Sequence, residues 1–284
     1  MNIGLIDVDS KIPNLALMKI SAYHKSCGDS VELTSPLFAY QFDQVYASKI
    51  FHDSTLPMLP ANAIIGGSGT GDYSVKLPDE IEHSCPDYGL YGIDYSMGFT
   101  SRGCIRDCSF CIVPAKEGKI VEWSPLSEFV RHKKVVVLDN NFLASWKWKE
   151  KISEMIEKKL VVDFNQGLDI RLLNEEKAQY LTELNPPYLR FAWDSMDLMR
   201  RVKSGVRLLR DAGYPINRNR VGFYVLTGHG TTPKQDLYRL DYLHRLNINT
   251  HVQPFIKNRE NNRLSRWGNQ PRIWTKTRFS QYTA

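Results

Sequence analysis

The sequence has no apolar run approaching the roughly 20 residues that a membrane-spanning helix requires, so it is not expected to cross a bilayer as helices. It also lacks a basic stretch ahead of an apolar one at its start. Met1-Asn2-Ile3-Gly4-Leu5-Ile6-Asp7 carries an early acid, which argues against a secretory signal. No internal repeat and no low-complexity tract is present, so nothing points to a repeat array or a disordered region. Cysteine is scarce, with five in 284 residues, three of them in one cluster. That usage fits a reducing compartment better than a disulfide scaffold, and the expected location is cytoplasmic.

What remains is ordinary for a globular protein: 42% hydrophobic and 24% charged residues. The length suits one large domain or two modest ones. A net charge of +6 is compatible with a nucleic-acid or other anionic partner, although mildly basic proteins are common. Much of the excess lies near the C-terminus, in Lys257, Arg259, Arg263, Arg266, Arg272, Lys276 and Arg278, against Glu260 alone.

The chemistry is concentrated in Ser101-Arg102-Gly103-Cys104-Ile105-Arg106-Asp107-Cys108-Ser109-Phe110-Cys111. Three thiols at C-x3-C-x2-C spacing can serve one metal centre, because thiolate is a ligand for both iron–sulfur clusters and zinc. A closed zinc site needs a fourth donor, and no Cys or His follows at the usual spacing. Cys85 and His132 are the remaining donors considered, neither at a characteristic distance. The loop resembles the signature of the radical S-adenosylmethionine (radical SAM) enzymes. The resemblance implies a 4Fe–4S cluster on Cys104, Cys108 and Cys111, with Phe110 near the adenine of SAM. A reductant such as flavodoxin or ferredoxin is the implied electron partner.

Upstream, Asn2–Val8 reads as a buried strand and Lys11–Cys27 as a helix ended by Gly28. Short apolar runs at Ser30–Leu33, Val45–Ile50 and Ala63–Ile65 follow, the last leading into the glycine-rich Gly66–Gly71. That order predicts a small Rossmann-like α/β domain over residues 1–85. Gly66–Gly71 reads either as a phosphate-type cradle or as a plain tight turn. In layout the unit resembles the cobalamin-binding-type domain that precedes one branch of radical SAM enzymes. The Asp-x-His-x-x-Gly signature is absent, His24 and His52 not matching it, and although some relatives bind cobalamin without that histidine, its loss weighs against cobalamin as a cofactor here. Residues 74–94 read as a linker.

From Asp94 onward strands and helices alternate. The strands are predicted at Tyr95–Phe99, Lys134–Leu138, Val161–Asn165, Leu189–Trp193, Gly222–Leu226 and Thr250–Pro254. The helices are predicted at Trp146–Lys158, Glu175–Leu184, Asp197–Ala212 and Pro233–Leu246. Six strands with helical crossovers imply a parallel sheet, and the resemblance implies a partial (β/α)6 TIM-like barrel over 90–256. Working residues then belong at the C-terminal strand ends. By position Asn140, Gln166, Arg171 and Asp194 are candidates for the ribose, carboxylate and amino groups of SAM. Thr227 and Gly228 open the turn in which relatives contact adenine. Asp139 reads equally as a turn residue and His229 as a loop residue.

The resemblance implies reductive cleavage of SAM to methionine and a 5′-deoxyadenosyl radical that abstracts hydrogen from a substrate. That substrate is open, with a nucleoside or nucleic acid among the candidates. The competing reading is a non-catalytic nucleic-acid-binding protein with a structural zinc at the cysteine loop. The segment 257–284 reads either as a basic and aromatic grip on a single strand or as a last element with buried rings and solvated arginines.

Overall fold

The computed structural model describes residues 1–283. The chain forms two compact units, Met1–Val136 and the remainder from Val137. Both are α/β, and their main sheets are parallel.

The first unit opens with β1 (Asn2–Asp7), α1 (Leu15–Ser26), β2 (Ser30–Leu33), β3 (Gln44–Ser48) and β4 (Ile64–Gly66). The four strands run parallel in the order β2-β1-β3-β4. The period of two along β1 feeds two cores. Ile3 and Leu5 pack with Leu17 and Ile20 of α1, while Ile6 packs with Ala39, Val45 and Ala47. α1 starts later than its apolar pattern suggests, because the Asn14 side chain accepts the Leu17 N–H and fixes the cap there. Gly28 ends it at φ 85°, as the C′ position favours.

The stretch read as a linker is ordered against this unit. It contains α2 (Asp79–Glu82), whose Ile81 joins the Ile3 and Leu5 cluster. Asp87 accepts from Ser21 and Lys25, and the Tyr91 hydroxyl donates to Asp7 at 2.6 Å. Next come β5 (Ser96–Gly98), β6 (Ser101–Arg102), α3 (Val113–Lys116), β7 (Val121–Glu122), α4 (Leu126–Phe129) and β8 (Lys134–Val137). β5 neighbours β8, and β6 pairs antiparallel with β7.

The second unit continues with α5 (Trp148–Glu157), β9 (Val161–Phe164), α6 (Glu175–Leu184), β10 (Leu189–Ala192), α7 (Met199–Asp211), β11 (Val221–Thr227), α8 (Pro233–Arg245) and β12 (Asn249–Pro254). Two further helices close it, α9 (Arg259–Gly268) and α10 (Pro271–Trp274). β10, β11 and β12 are parallel neighbours, and Leu168 just after β9 bridges Phe191 of β10. The strands are apolar as fully covered parallel strands are: Phe164, Phe191, Phe223 and Val225 are buried, as are Val202, Val206 and Leu209 of α7 and Leu240 and Leu243 of α8. The six strands predicted from Asp94 onward are all present within two residues. No helix among the described residues is long and apolar enough to cross a membrane.

Candidate functional site

The cysteine loop is held at its base by a short antiparallel ladder, Ser101 opposite Glu122 and Arg102 opposite Val121. Gly103 has φ 81°, and a Cβ there would lie 2.3 Å from the Lys119 carbonyl, so only glycine lets the two arms approach. The Cys104 N–H donates to the Gly118 carbonyl at 3.2 Å. Arg102 forms a two-pronged ion pair with Glu117, and its Nη1 reaches Glu82 at 3.1 Å. The same guanidinium lies over the rings of Phe99 at 4.7 Å and Trp123 at 5.0 Å. Within the loop Cys111 N–H donates to the Cys108 carbonyl at 2.9 Å.

The donor set fits an iron–sulfur cluster in kind. Three soft thiols lie within eight residues, and two of the sulfurs accept backbone N–H groups, Cys104 from Arg106 at 3.3 Å and Cys111 from Val113 at 3.5 Å. Such N–H···S contacts tune cluster thiolates. Ile105, Phe110 and Ile112 are exposed around the thiols, an apolar rim that a bound group would cover. No disulfide joins any of the five cysteines. Among the described residues no three His, Cys, Asp or Glu side chains converge as a single metal ion would need.

The other donors considered have structural roles. His132 Nδ1 lies 3.1 Å from Ser96 Oγ, and its ring packs edge-on against Tyr88. Burial pushes the Cys85 thiol up, toward its unreactive protonated form. The glycines of Gly66–Gly71 serve close packing: a Cβ on Gly67 would meet the Lys49 carbonyl at 2.2 Å, and one on Gly69 the Phe51 carbonyl at 2.6 Å. The Gly69 N–H is donated to Lys49 at 2.9 Å. The loop is thereby a packed turn of the first unit.

In the second unit some of the polar residues predicted at strand ends meet one another. After β8, Asp139 and Asn141 are buried and Asn140 is half-buried. After β9, Asn165 donates its N–H to the Val137 carbonyl at 3.1 Å and accepts from the Tyr224 hydroxyl at 3.4 Å. Gln166 is exposed, and Gly167 turns at φ 85°. Asp169 then caps the turn Ile170–Leu172, accepting from Arg171 N–H at 3.1 Å and from its Nε at 2.6 Å, and from Asn141 Nδ2 at 3.5 Å. After β10, Asp194 accepts the Leu226 N–H at 3.4 Å. Burial drives its carboxyl above the usual range, with Arg239 and Arg171 opposing and Asp169 reinforcing the shift. Asn141, Asp169, Arg171 and Asp194 thus form one electrostatically connected group, with Arg171 already paired to Asp169.

After β11, Thr227 is fully buried, and its hydroxyl has no hydrogen-bond partner among the described residues. Gly228 turns at φ 74° and donates its N–H to Asp236 Oδ2 at 3.0 Å. Asp236 and Arg239 are the residues that sequence reasoning missed. They form an ion pair at 2.5 Å with side chains 1% and 0% exposed. Arg239 also donates to the carbonyls of Trp193 and Leu226, which end β10 and β11. An i, i+3 acid–base pair on a helix normally reads as a solvated face; the only signal was its place just after a Gly-rich strand end. His229 lies in the loop, its ring 4.5 Å from that of Phe255.

No family model matches the chain, and no curated protein matches it in sequence. Among solved structures it is similar to the radical S-adenosylmethionine methyltransferase TsrM from Kitasatospora setae, solved with cobalamin and a [4Fe-4S] cluster bound. The TM-score is 0.65 at 14% identity, over 89% of this chain and 74% of that one. The apo, selenomethionine-labelled cobalamin-dependent S-adenosylmethionine radical enzyme OxsB aligns at a TM-score of 0.39 and 14% identity, over 93% of this chain and 51% of that one, too low a score to carry an argument. In fold, the chain is similar to a cobalamin-binding radical SAM enzyme.

Proposed function

We propose that the chain is a radical SAM enzyme, a partial (β/α)6 barrel preceded by a small Rossmann-like domain, that cleaves S-adenosylmethionine reductively. The observation that carries this reading is the clamped cysteine loop, with three thiols in eight residues and backbone N–H groups on two sulfurs. Cys104, Cys108 and Cys111 would hold the 4Fe–4S cluster. When bound and reduced, such a cluster supplies one electron to the SAM sulfonium, yielding methionine and a 5′-deoxyadenosyl radical that takes hydrogen from a substrate.

The chain's own residues bind, orient and exclude water. Phe110 offers a ring to the adenine, and Thr227 and Gly228 offer the turn after β11. Asn140 and Gln166 offer amides to the ribose and amino groups. Arg171, held in orientation by Asp169, would be the partner of the methionine carboxylate. Asp194, within reach of the Arg171 charge, would take the amino group. Cobalamin has less support than the cluster, because the Gly66–Gly71 loop gives the Gly69 N–H to Lys49. The zinc-bearing, non-catalytic reading has less support too, since the similar fold belongs to an enzyme.

The test is anaerobic incubation of reconstituted protein with dithionite and SAM, assayed for 5′-deoxyadenosine. The wild type is expected to be brown and to release it, and Cys108→Ala to lose colour and product together. Undiminished SAM cleavage by Cys108→Ala would overturn the proposal.

A further inference from the structure

The net charge of the chain is not spread over it. Residues 257–283 hold seven Lys and Arg against Glu260, leaving thirty basic and thirty acidic residues elsewhere, so the whole excess of six lies in this segment. Lys257, Arg259, Arg266, Arg272, Lys276 and Arg278 are exposed. Arg278 faces Asp241, whereas Arg259 and Arg266 form no ion pair among the described residues.

Three of these arginines share a face. Arg259, Arg263 and Arg266 stand at i, i+4 and i+7 of α9 and line a hollow of about 530 Å³ with Glu260, Tyr282 and Thr283. Arg263 is fixed in advance. It donates to the carbonyls of Tyr282 at 2.9 Å and Phe279 at 3.0 Å, and its guanidinium lies 4.4 Å from the Phe279 ring.

The stripe begins beside the strand ends. Asn261 of α9 donates to the Ile256 carbonyl at 2.8 Å, and a Cβ on Gly228 would meet its Nδ2 at 2.7 Å. Between them Phe255 donates its N–H to Thr227 and presents a ring 52% exposed. Along the stripe neither tryptophan is offered. Trp267 and Trp274 are buried, Trp267 donating to the Thr277 carbonyl at 2.8 Å and Trp274 stacking on His244 at 4.0 Å. Stacking of bases on Trp267 and Trp274 is therefore closed to this segment. An amphipathic membrane contact lacks its apolar face, since Leu264 and Trp267 point inward.

We infer that the second unit binds a nucleic-acid strand, its phosphates on Arg259, Arg263 and Arg266 and one unpaired base on Phe255. Phosphate contacts fix register without reading sequence, and a base stacked at the strand ends is delivered to the reaction. The inference rests on the proposed reaction only in making that strand the substrate; binding stands apart from it.

Anisotropy of a labelled RNA hairpin and of a perfectly paired RNA duplex tests it, on reconstituted protein without SAM or reductant, across a salt series. The expected slope of log affinity on log salt is about −2 to −3 for three phosphate contacts. The double variant Arg259→Gln with Arg266→Gln is expected to flatten it by about 1.5. Phe255→Ala is expected to weaken the hairpin about ten-fold and to leave the duplex unchanged. Both arginines are exposed, and an unaltered circular dichroism spectrum certifies the fold. No binding of either RNA, an unchanged slope in the double variant, or binding of phosphatidylserine vesicles instead overturns the inference. Release of 5′-deoxyadenosine without RNA binding overturns this inference alone, whereas RNA binding without that release overturns only the proposed reaction.

Discussion

Arg102 and Glu117 close the base of the cysteine loop with two parallel contacts, Nε to Oε2 at 2.8 Å and Nη2 to Oε1 at 3.2 Å. The pair is fifteen positions apart and brackets all three clustered thiols, so it fixes the loop's two ends without touching its ligands. Phe99 and Trp123 on either side restrict the guanidinium further.

Arg102→Lys keeps the charge and loses the fork. It is expected to weaken loop closure by about 1–3 kcal/mol, read as lower iron and sulfide content after reconstitution with an unchanged circular dichroism spectrum. The pH dependence has a definite sign. Burial raises the Glu117 carboxyl, but the Arg102 hydrogen bond and charge outweigh it, and the net value lies below the ordinary 4.5. The clamp therefore contributes fully above that value and is lost as pH falls through the folded one. Trp123 fluorescence, followed through an acid titration, is expected to change only in that acid window.

Asp236→Asn leaves Arg239 buried without its counter-charge. Loss of one partner of such a pair costs about 3–5 kcal/mol, which urea unfolding of the variant is expected to show. Replacing both, Asp236→Leu with Arg239→Met, is expected to recover most of that loss, because burying neither charge removes the penalty.

The parts of the fold that the sequence made legible are those with a local cause. β9, β10, β11 and β12 are apolar runs of strand length, and α6 begins where Asn174 caps it. The cysteine loop was legible because its spacing is chemical and needs no packing to be read. Asp236 and Arg239 were not, since nothing in a helical Asp-x-x-Arg says that the solvent side is occupied by two strand ends. The same holds for residues 74–94: their Pro and Gly content suggested a tether, but Ile81 and Tyr88 are buried in the first unit. The tail was half legible, its charge obvious and its inward tryptophans decided only by α9 and α10.

Asp194→Asn is expected to raise the melting temperature while diminishing SAM cleavage. Burial holds the folded carboxyl above its ordinary 3.8, so the native state prefers the proton and ionisation at neutral pH opposes folding. Stability attributable to this group falls as pH rises from 3.8 through the folded value, and the asparagine variant is expected to lack that slope. Calorimetry across pH checks it. A melting temperature lower than wild type at pH 7 contradicts the assignment.

His244 lies stacked on Trp274 and edge-on to Trp267, its Nε2 2.9 Å from Thr250 Oγ1. Burial pulls its pKa down to about 3 from 6.5. The unfolded chain therefore takes up a proton that the native state refuses, and stability drops as pH falls below 6.5. Between pH 7 and 5 the loss is expected to be about 2 kcal/mol, measured by urea unfolding and removed in His244→Phe.

Arg239 of α8 ties the ends of β10 and β11 to one another through the carbonyls of Trp193, just past β10, and Leu226. The loops that follow are thereby relieved of part of that load. Residues beyond Asp194 and Gly228 can be exchanged, lengthened or recombined while the spacing of the strands stays constant. A scaffold built this way is able to change clientele over evolutionary time without re-inventing its chassis, and laboratory diversification is best aimed at the same two loops.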